Sequence, residues 1–133
     1  MVSIEVTALY AGLCALLVMA LAFRVVAFRR GKKVGLGTGG DKQGEIAVRV
    51  HANAVEYIPL ALILMLIAEI NGLSHLWLHC LGGALVLARL LHAIGLVAGN
   101  GGYHPGRFIG TAATWLVIII LAVIDIVAAL QAA

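Results

Sequence analysis

The segment RVHANAVEYIPLALILMLIA, residues 49–68, places four polar or charged side chains directly before a long apolar run. The uninterrupted run, Tyr57–Ala68, would extend only about 18 Å as an α-helix, whereas the hydrocarbon core of a bilayer is about 30 Å thick. A helix that crosses the bilayer must therefore take in residues before Tyr57, which draws Glu56 and Asn53 below the membrane surface. The segment predicts a membrane-spanning helix with polar and ionisable groups inside the bilayer.

The rest of the chain predicts three more helices of the same kind. Of the 133 residues, 63% are hydrophobic and 11% are charged, whereas soluble domains have roughly 25% charged residues. The first apolar stretch has no basic leader and is too long for a cleaved signal peptide, so we interpret it as a retained helix. The sequence predicts an all-α integral membrane protein, a single up-down bundle over residues 1–133, with spans at about 5–28, 46–70, 76–98 and 108–131.

Positive charge predicts how the chain is oriented. Seven of the nine lysines and arginines fall within residues 24–49, and the positive-inside rule places the first connection in the cytoplasm. The third connection then faces the same side, and both termini face the opposite side; in a prokaryote the membrane would be the inner membrane. We interpret the basic cluster as a topology signal rather than a nucleic-acid site, and GLGTGG lacks the strand-to-helix context of a phosphate loop.

One face of the second span is polar. Arg49, Asn53, Glu56 and Tyr57 follow the spacing i, i+4, i+7, i+8, which places them within roughly 100° of the helix circumference. His51 points the opposite way. Intramembrane ionisable groups usually face a bundle interior or a wet cavity, so this polar stripe, the four residues just named, is not expected to face lipid.

Depth suggests a partner for Glu56 on the third span. Glu56 lies about 16 Å from the cytoplasmic end of its helix, and Arg89 about 13 Å from the same face, so we expect the two to pair directly or through one group. His92 lies one turn nearer the cytoplasm. A structural ion network that holds the helices together and a ligand site are about equally compatible with these residues alone. Several donors above the pair, opening toward one face, favour the ligand site.

A second polar group is expected at the other end of the bundle, and it contains Glu69, Asn71, His75, His79 and Asp125. The i, i+4 spacing of His75 and His79 can hold a metal. Polar side chains near a short turn are the more ordinary explanation, so no metal site is assigned. Asp125 follows a long apolar run and is expected to face another helix, for instance a group on the third.

The polar stripe resembles the signature of the MAPEG family, the membrane-associated proteins of eicosanoid and glutathione metabolism. That signature has an arginine, an asparagine four positions on, a Glu-Tyr pair three further and a proline close behind. The segment ARLLHAIG, residues 88–95, resembles the third-helix segment of the family and carries His92. Leu96 departs from the pattern, because several members have there a second tyrosine that contacts glutathione.

The resemblance implies a homotrimer that binds glutathione between subunits, in the cytoplasmic half of the membrane. Arg49, Asn53, Glu56 and Tyr57 would hold the tripeptide, and an arginine that opens the fourth helix would activate its thiol. Arg107 holds that position. Together with the residues of the third span considered above, the expected glutathione-binding set is Arg49, Asn53, Glu56, Tyr57, Arg89 and His92.

These expectations predict a membrane-embedded glutathione-dependent transferase or peroxidase, with glutathione as co-substrate and a lipophilic electrophile arriving from membrane lipid. One alternative is a small four-helix transporter, although such exporters place an essential glutamate within the first helix and this chain has only Glu5 at its very end. Another is a non-catalytic MAPEG-like protein that binds a lipid or a protein partner. The sequence leaves open the electrophile and the choice between conjugation and peroxide reduction.

Overall fold

A computed structural model describes residues 4–132 of the chain. This part forms four α-helices and no strand: α1 (Glu5–Lys32), α2 (Lys42–Ile70), α3 (His75–Ala98) and α4 (Pro105–Ala132). Each is long and apolar enough to cross a membrane, so the predicted four-helix membrane fold is confirmed. The largest differences from the predicted spans are at the end of α1 and the start of α2, where each helix extends four residues further.

The helices alternate in direction, so two connections meet at one end of the bundle. We call this end, with residues 33–41 and 99–104, the loop end; the opposite end, with the short connection 71–74, is the turn end. α3 packs most extensively against α4, and α1 against α2, while α2 also contacts α3 and α4. The start of α2, the end of α3 and the start of α4 therefore converge at the loop end.

Glycines allow α3 and α4 to approach closely. A Cβ atom on Gly95 would meet the backbone of Gly106 and Arg107, and one on Gly110 would meet the carbonyl of Ala88 and the backbone of His92. Small residues are the usual means by which membrane helices bring their backbones together. The start of α4 is consequently pressed against the last turns of α3, and this contact fixes the position of Arg107.

The turn end is held by a buried carboxylate that the sequence did not single out for this role. Glu69, near the end of α2, is 5% exposed and accepts hydrogen bonds from the backbone N–H of Val6 at 2.9 Å and of Thr7 at 2.7 Å. The first N–H groups of a helix have no partner within the helix. Glu69 accepts hydrogen bonds from two of these N–H groups and so joins α1 to α2.

Two other members of the expected turn-end group, His79 and Asp125, make no hydrogen bond to Glu69 within residues 4–132. The hydroxyl of Tyr10 donates to the backbone carbonyl of His79 at 3.0 Å and lies 3.2 Å from its Nδ1. Asp125 continues the buried face of α4, one turn beyond Leu121, but its two carboxylate oxygens are buried and make no hydrogen bond within residues 4–132. Within these residues, no polar group of α3 hydrogen-bonds to Asp125.

The connection between α1 and α2 is ordered by Asp41. Its Oδ1 accepts from the backbone N–H of Gln43 at 2.9 Å and of Gly44 at 3.3 Å, so it caps α2. Its Oδ2 lies 2.9 Å from Nζ of Lys32. The hydrogen bond from Lys32, together with those from the two amides, holds the pKa of Asp41 below its usual value.

Candidate functional site

Two members of the polar stripe of α2 pair with each other. Nη1 of Arg49 lies 2.9 Å from Oε1 of Glu56, and Nη2 lies 3.4 Å from Oε2. The pair spans two helical turns, and the side chains are 57% and 45% exposed in the single chain. The expected pair between Glu56 and Arg89 is therefore wrong, because an arginine on the same face of the same helix takes both carboxylate oxygens.

Arg89 is instead buried behind the stripe, where it joins three helices. Its Nη1 donates to Oδ1 of Asn53 at 2.7 Å and its Nη2 to the carbonyl of Gly110 at 3.1 Å. The guanidinium carbon lies 5.7 Å from the centroid of the Tyr57 ring, a distance suited to a cation–π contact. Because arginine only donates, Asn53 must turn its oxygen toward Arg89, which leaves its two amide N–H groups for another acceptor.

His92 is tied to the first turns of α4. Its Nδ1 lies 3.0 Å from Oγ1 of Thr111, and that hydroxyl donates to the carbonyl of Arg107 at 2.9 Å. The single hydroxyl proton is used in the second bond, so Nδ1 of His92 is the donor in the first. His92 thus helps to hold the backbone that carries Arg107, and its buried Nε2 has no partner within the described chain.

Arg107 is the third residue of α4. Its Nη1 donates to two carbonyls of the preceding loop, those of Gly101 at 2.8 Å and Gly102 at 3.0 Å. Arginine has five N–H donors, and residues 4–132 use only those on Nη1. The remaining donors lie beside the positive end of the α4 dipole, so this position is strongly attractive to an anion.

A polar cavity of about 540 Å³ opens at the loop end, where the start of α2, the end of α3 and the start of α4 converge. The volume lies within the range of roughly 300–1,000 Å³ typical of small-molecule sites. Backbone from residues 99–102 forms part of its wall. The lining side chains include Lys42, Glu45, Arg49, Leu96, Asn100 and Arg107.

An apolar cavity of about 590 Å³ lies on the other side of Arg107. Its wall contains three aromatic side chains, Tyr103, Phe108 and Trp115, which are between 51% and 82% exposed in the single chain. Arg107 and Gly102 line both cavities. A cation therefore separates a polar compartment from an aromatic one.

The seven residues predicted from the sequence divide into two sets. Arg49 and Arg107 line the polar cavity, whereas the other five do not line either cavity in the described chain. Sequence reasoning missed Lys42 and Asn100, because both lie in or beside glycine-rich connections whose folding follows no helical periodicity. It also missed Trp115, which is one aromatic residue within a long apolar run.

The sequence profile of the MAPEG family matches residues 7–127. The chain belongs to the MAPEG family. Its similar proteins include the inner membrane protein YecN of Escherichia coli strain K12 and YecN of strain O6:H1, each 40% identical over 120 residues, which cover 87% of this chain and 86% of the relative. The four apolar helices and the inner-membrane relatives support a multi-pass inner membrane protein. The name of these relatives gives a location and no reaction.

Proposed function

We propose that this MAPEG protein is a glutathione-dependent transferase or peroxidase that acts on lipophilic electrophiles. The observation that carries the proposal is the position of Arg107, which lines both the polar and the apolar cavity. A reaction between a hydrophilic thiol and a lipid-soluble partner needs two such compartments that meet at one activating group. Arg107 is the group at their boundary.

Charge favours glutathione in the polar cavity. The polar cavity and the layer behind it contain four cations, Arg49, Arg89, Arg107 and Lys42, and two carboxylates, Glu45 and Glu56, so they carry two net positive charges. Glutathione as a thiolate has two carboxylates, one ammonium and one sulfur anion, which give two net negative charges. The guanidinium fork matches a carboxylate with two parallel hydrogen bonds.

Arg107 is the thiol-activating residue in this proposal. A free thiol has a pKa near 8.5, and an adjacent cation or a helix N-terminus lowers it toward about 7. Arg107 supplies both influences because it lies in the first turn of α4. The thiolate sulfur then forms a bond to the electrophilic carbon, and the leaving group departs with its bonding electrons.

The electrophile would occupy the apolar cavity beside Tyr103, Phe108 and Trp115. Lipophilic electrophiles partition into bilayers, so a cavity on the outer surface of α4 can receive them from the membrane. We place the loop end on the cytoplasmic side, because most of the basic residues lie at or near that end and glutathione is a water-soluble co-substrate.

A homotrimer with glutathione between subunits is part of the proposal. Arg49 and Glu56 are about half exposed on a helix that crosses the membrane, and charged groups that face lipid are costly. A neighbouring copy of the chain would cover this pair and close the polar cavity from the side. Native mass spectrometry in detergent measures the number of subunits directly.

The test compares purified wild type with Arg107→Ala. Glutathione binding is measured by calorimetry. Conjugation is assayed with a chlorinated nitroaromatic, and peroxide reduction is assayed with an organic hydroperoxide. If the thiol pKa returns from about 7 to about 8.5, the thiolate fraction at pH 7 falls from about one half to about 3%, so we expect conjugation to fall roughly 15-fold. The difference should largely disappear above about pH 9.5, where both thiols ionise.

Arg30→Ala is the matched control, because Arg30 is exposed at the loop end and lines neither cavity. An Arg107→Ala variant that conjugates at the wild-type rate at pH 7 would contradict the assigned role. Glutathione binding with no turnover across a broad panel of electrophiles and peroxides would show a non-catalytic protein instead.

A further inference from the structure

The α3–α4 connection fixes Arg107 through its backbone. The two carbonyls that hold Nη1 of Arg107 belong to Gly101 and Gly102. Their direction depends on positive φ angles at Asn100 (49°) and Gly101 (82°), a conformation that only glycine and, less often, asparagine adopt readily. The pose of the guanidinium therefore follows from the conformation of this connection.

Asn100 is held in turn by the start of α2. Its Oδ1 accepts a hydrogen bond from Nε2 of Gln43 at 3.0 Å, across 57 residues of sequence. Gln43 lies in the first turn of α2, which Asp41 caps. A connected path thus runs from the capped start of α2 through Asn100 to the carbonyls that bind Arg107.

We infer that Gln43 is a positioning residue, which acts on the bound thiol only through Asn100 and Arg107. The inference rests on the proposed function, and it adds that the start of α2 determines the position of Arg107. Gln43 is the cleaner residue to test, because it is exposed and does not line the polar cavity, whereas Asn100 does. Loss of one exposed hydrogen bond should leave the fold intact and loosen only the connection.

The kinetic experiment uses the full-length protein with Gln43→Ala. We expect kcat for conjugation at pH 7 to fall about three- to tenfold, the effect of one neutral hydrogen bond. The pH profile of kcat should move to higher pH, because a misplaced cation stabilises the thiolate less, while the glutathione dissociation constant changes less than about twofold. Gln43→Lys keeps a donor for Asn100 and should restore most of the rate.

Two comparisons separate positioning from general destabilisation. Gln131→Ala removes the same type of exposed side chain at the opposite end of the bundle and should leave kcat and its pH profile unchanged. In an Arg107→Ala background, Gln43→Ala should have no further effect on kcat. An undiminished effect in that background would overturn the inference, as would an unshifted pH profile in Gln43→Ala.

Hydrogen–deuterium exchange of the protein without glutathione gives an outcome that does not depend on catalysis. The amides of Asn100, Gly101 and Gly102 donate to carbonyls at the end of α3 and within the connection, and we expect them to exchange several-fold faster in Gln43→Ala than in wild type. Unchanged exchange overturns the inference even if the wild type is an active transferase. Exchange could also be faster in Gln43→Ala while the wild-type protein neither binds nor turns over glutathione. That result would refute the proposed function, and with it the positioning role.

Discussion

Replacement of Glu69 should destabilise the protein without affecting the chemistry of the site. In Glu69→Ala, the N–H groups of Val6 and Thr7 lose hydrogen bonds of 2.9 and 2.7 Å to a buried carboxylate. Hydrogen bonds to a charged group contribute about 1.5–3 kcal/mol each, so the free energy of unfolding should fall by about 3–6 kcal/mol. Within residues 4–132, no other side chain caps this end of α1, so the described chain offers the two donors no replacement.

Glu69→Gln should have roughly half the effect. The amide oxygen can still accept one of the two bonds, but the amide nitrogen would then face the other N–H donor. We expect a loss of about 1.5–3 kcal/mol. Glu5→Ala is the matched control, because it removes an exposed carboxylate from the same helix end that makes no side-chain hydrogen bond in the described chain, and it should cost less than about 1 kcal/mol.

Thermal unfolding in detergent, followed by circular dichroism, measures these differences. Activity per folded molecule, determined well below the unfolding temperature, should remain at the wild-type value because Glu69 lies at the turn end. If Glu69→Ala costs no more than Glu5→Ala, the cap contributes nothing and the reasoning fails. A selective loss of kcat in a stable Glu69→Ala protein would show instead that the turn end communicates with the cavities.

Three further outcomes follow from the same geometry. Gly95→Ala should displace the start of α4, with a cost of about 1–3 kcal/mol in stability and a lower conjugation rate, whereas Gly83→Ala, which has space for a Cβ, should be tolerated. Trp115→Ala should raise the KM for a lipophilic electrophile and leave calorimetric glutathione affinity unchanged. The pKa of Asp41 is depressed, so its ionised carboxyl stabilises the start of α2 at pH values above its ordinary pKa, and this stabilisation is lost as the pH falls through the lowered value. In an NMR titration, Lys32→Ala should move the titration midpoint of Asp41 upward.

Helix number and approximate bounds were predictable from the sequence, because a bilayer fixes the length of apolar chain that a span requires. Helical periodicity likewise identified the stripe that contains Arg49 and Glu56. The pairing failed because depth along the membrane normal does not determine the direction in which a side chain points. Arg49 is on the same face of the same helix as Glu56, and its long side chain covers the two turns between them.

The features that were missed depend on contacts between segments distant in sequence. Glu69 has the sequence neighbourhood of an ordinary polar residue near a turn, and nothing in that neighbourhood indicates that the start of α1 lies beside it. The contact between Gln43 and Asn100 likewise joins the first turn of α2 to the α3–α4 connection, which has no periodic pattern. To predict such contacts, one must know how the helices are rotated relative to one another. Close packing determines that rotation, and the pattern of a single helix does not.

Two roles of Glu56 in the proposed site can be distinguished with a modified ligand. Glu56 can accept the ammonium of glutathione or hold Arg49 in place, and its two contacts with Arg49 favour the second role. We expect Glu56→Gln to weaken glutathione binding about three- to tenfold, in keeping with a partly exposed charged pair. If Glu56 holds Arg49, N-acetylated glutathione, which lacks the ammonium, should lose affinity by the same factor in the variant. If the affinity of the acetylated ligand is equal in the two proteins, Glu56 binds the ammonium and its pairing with Arg49 must break when glutathione enters.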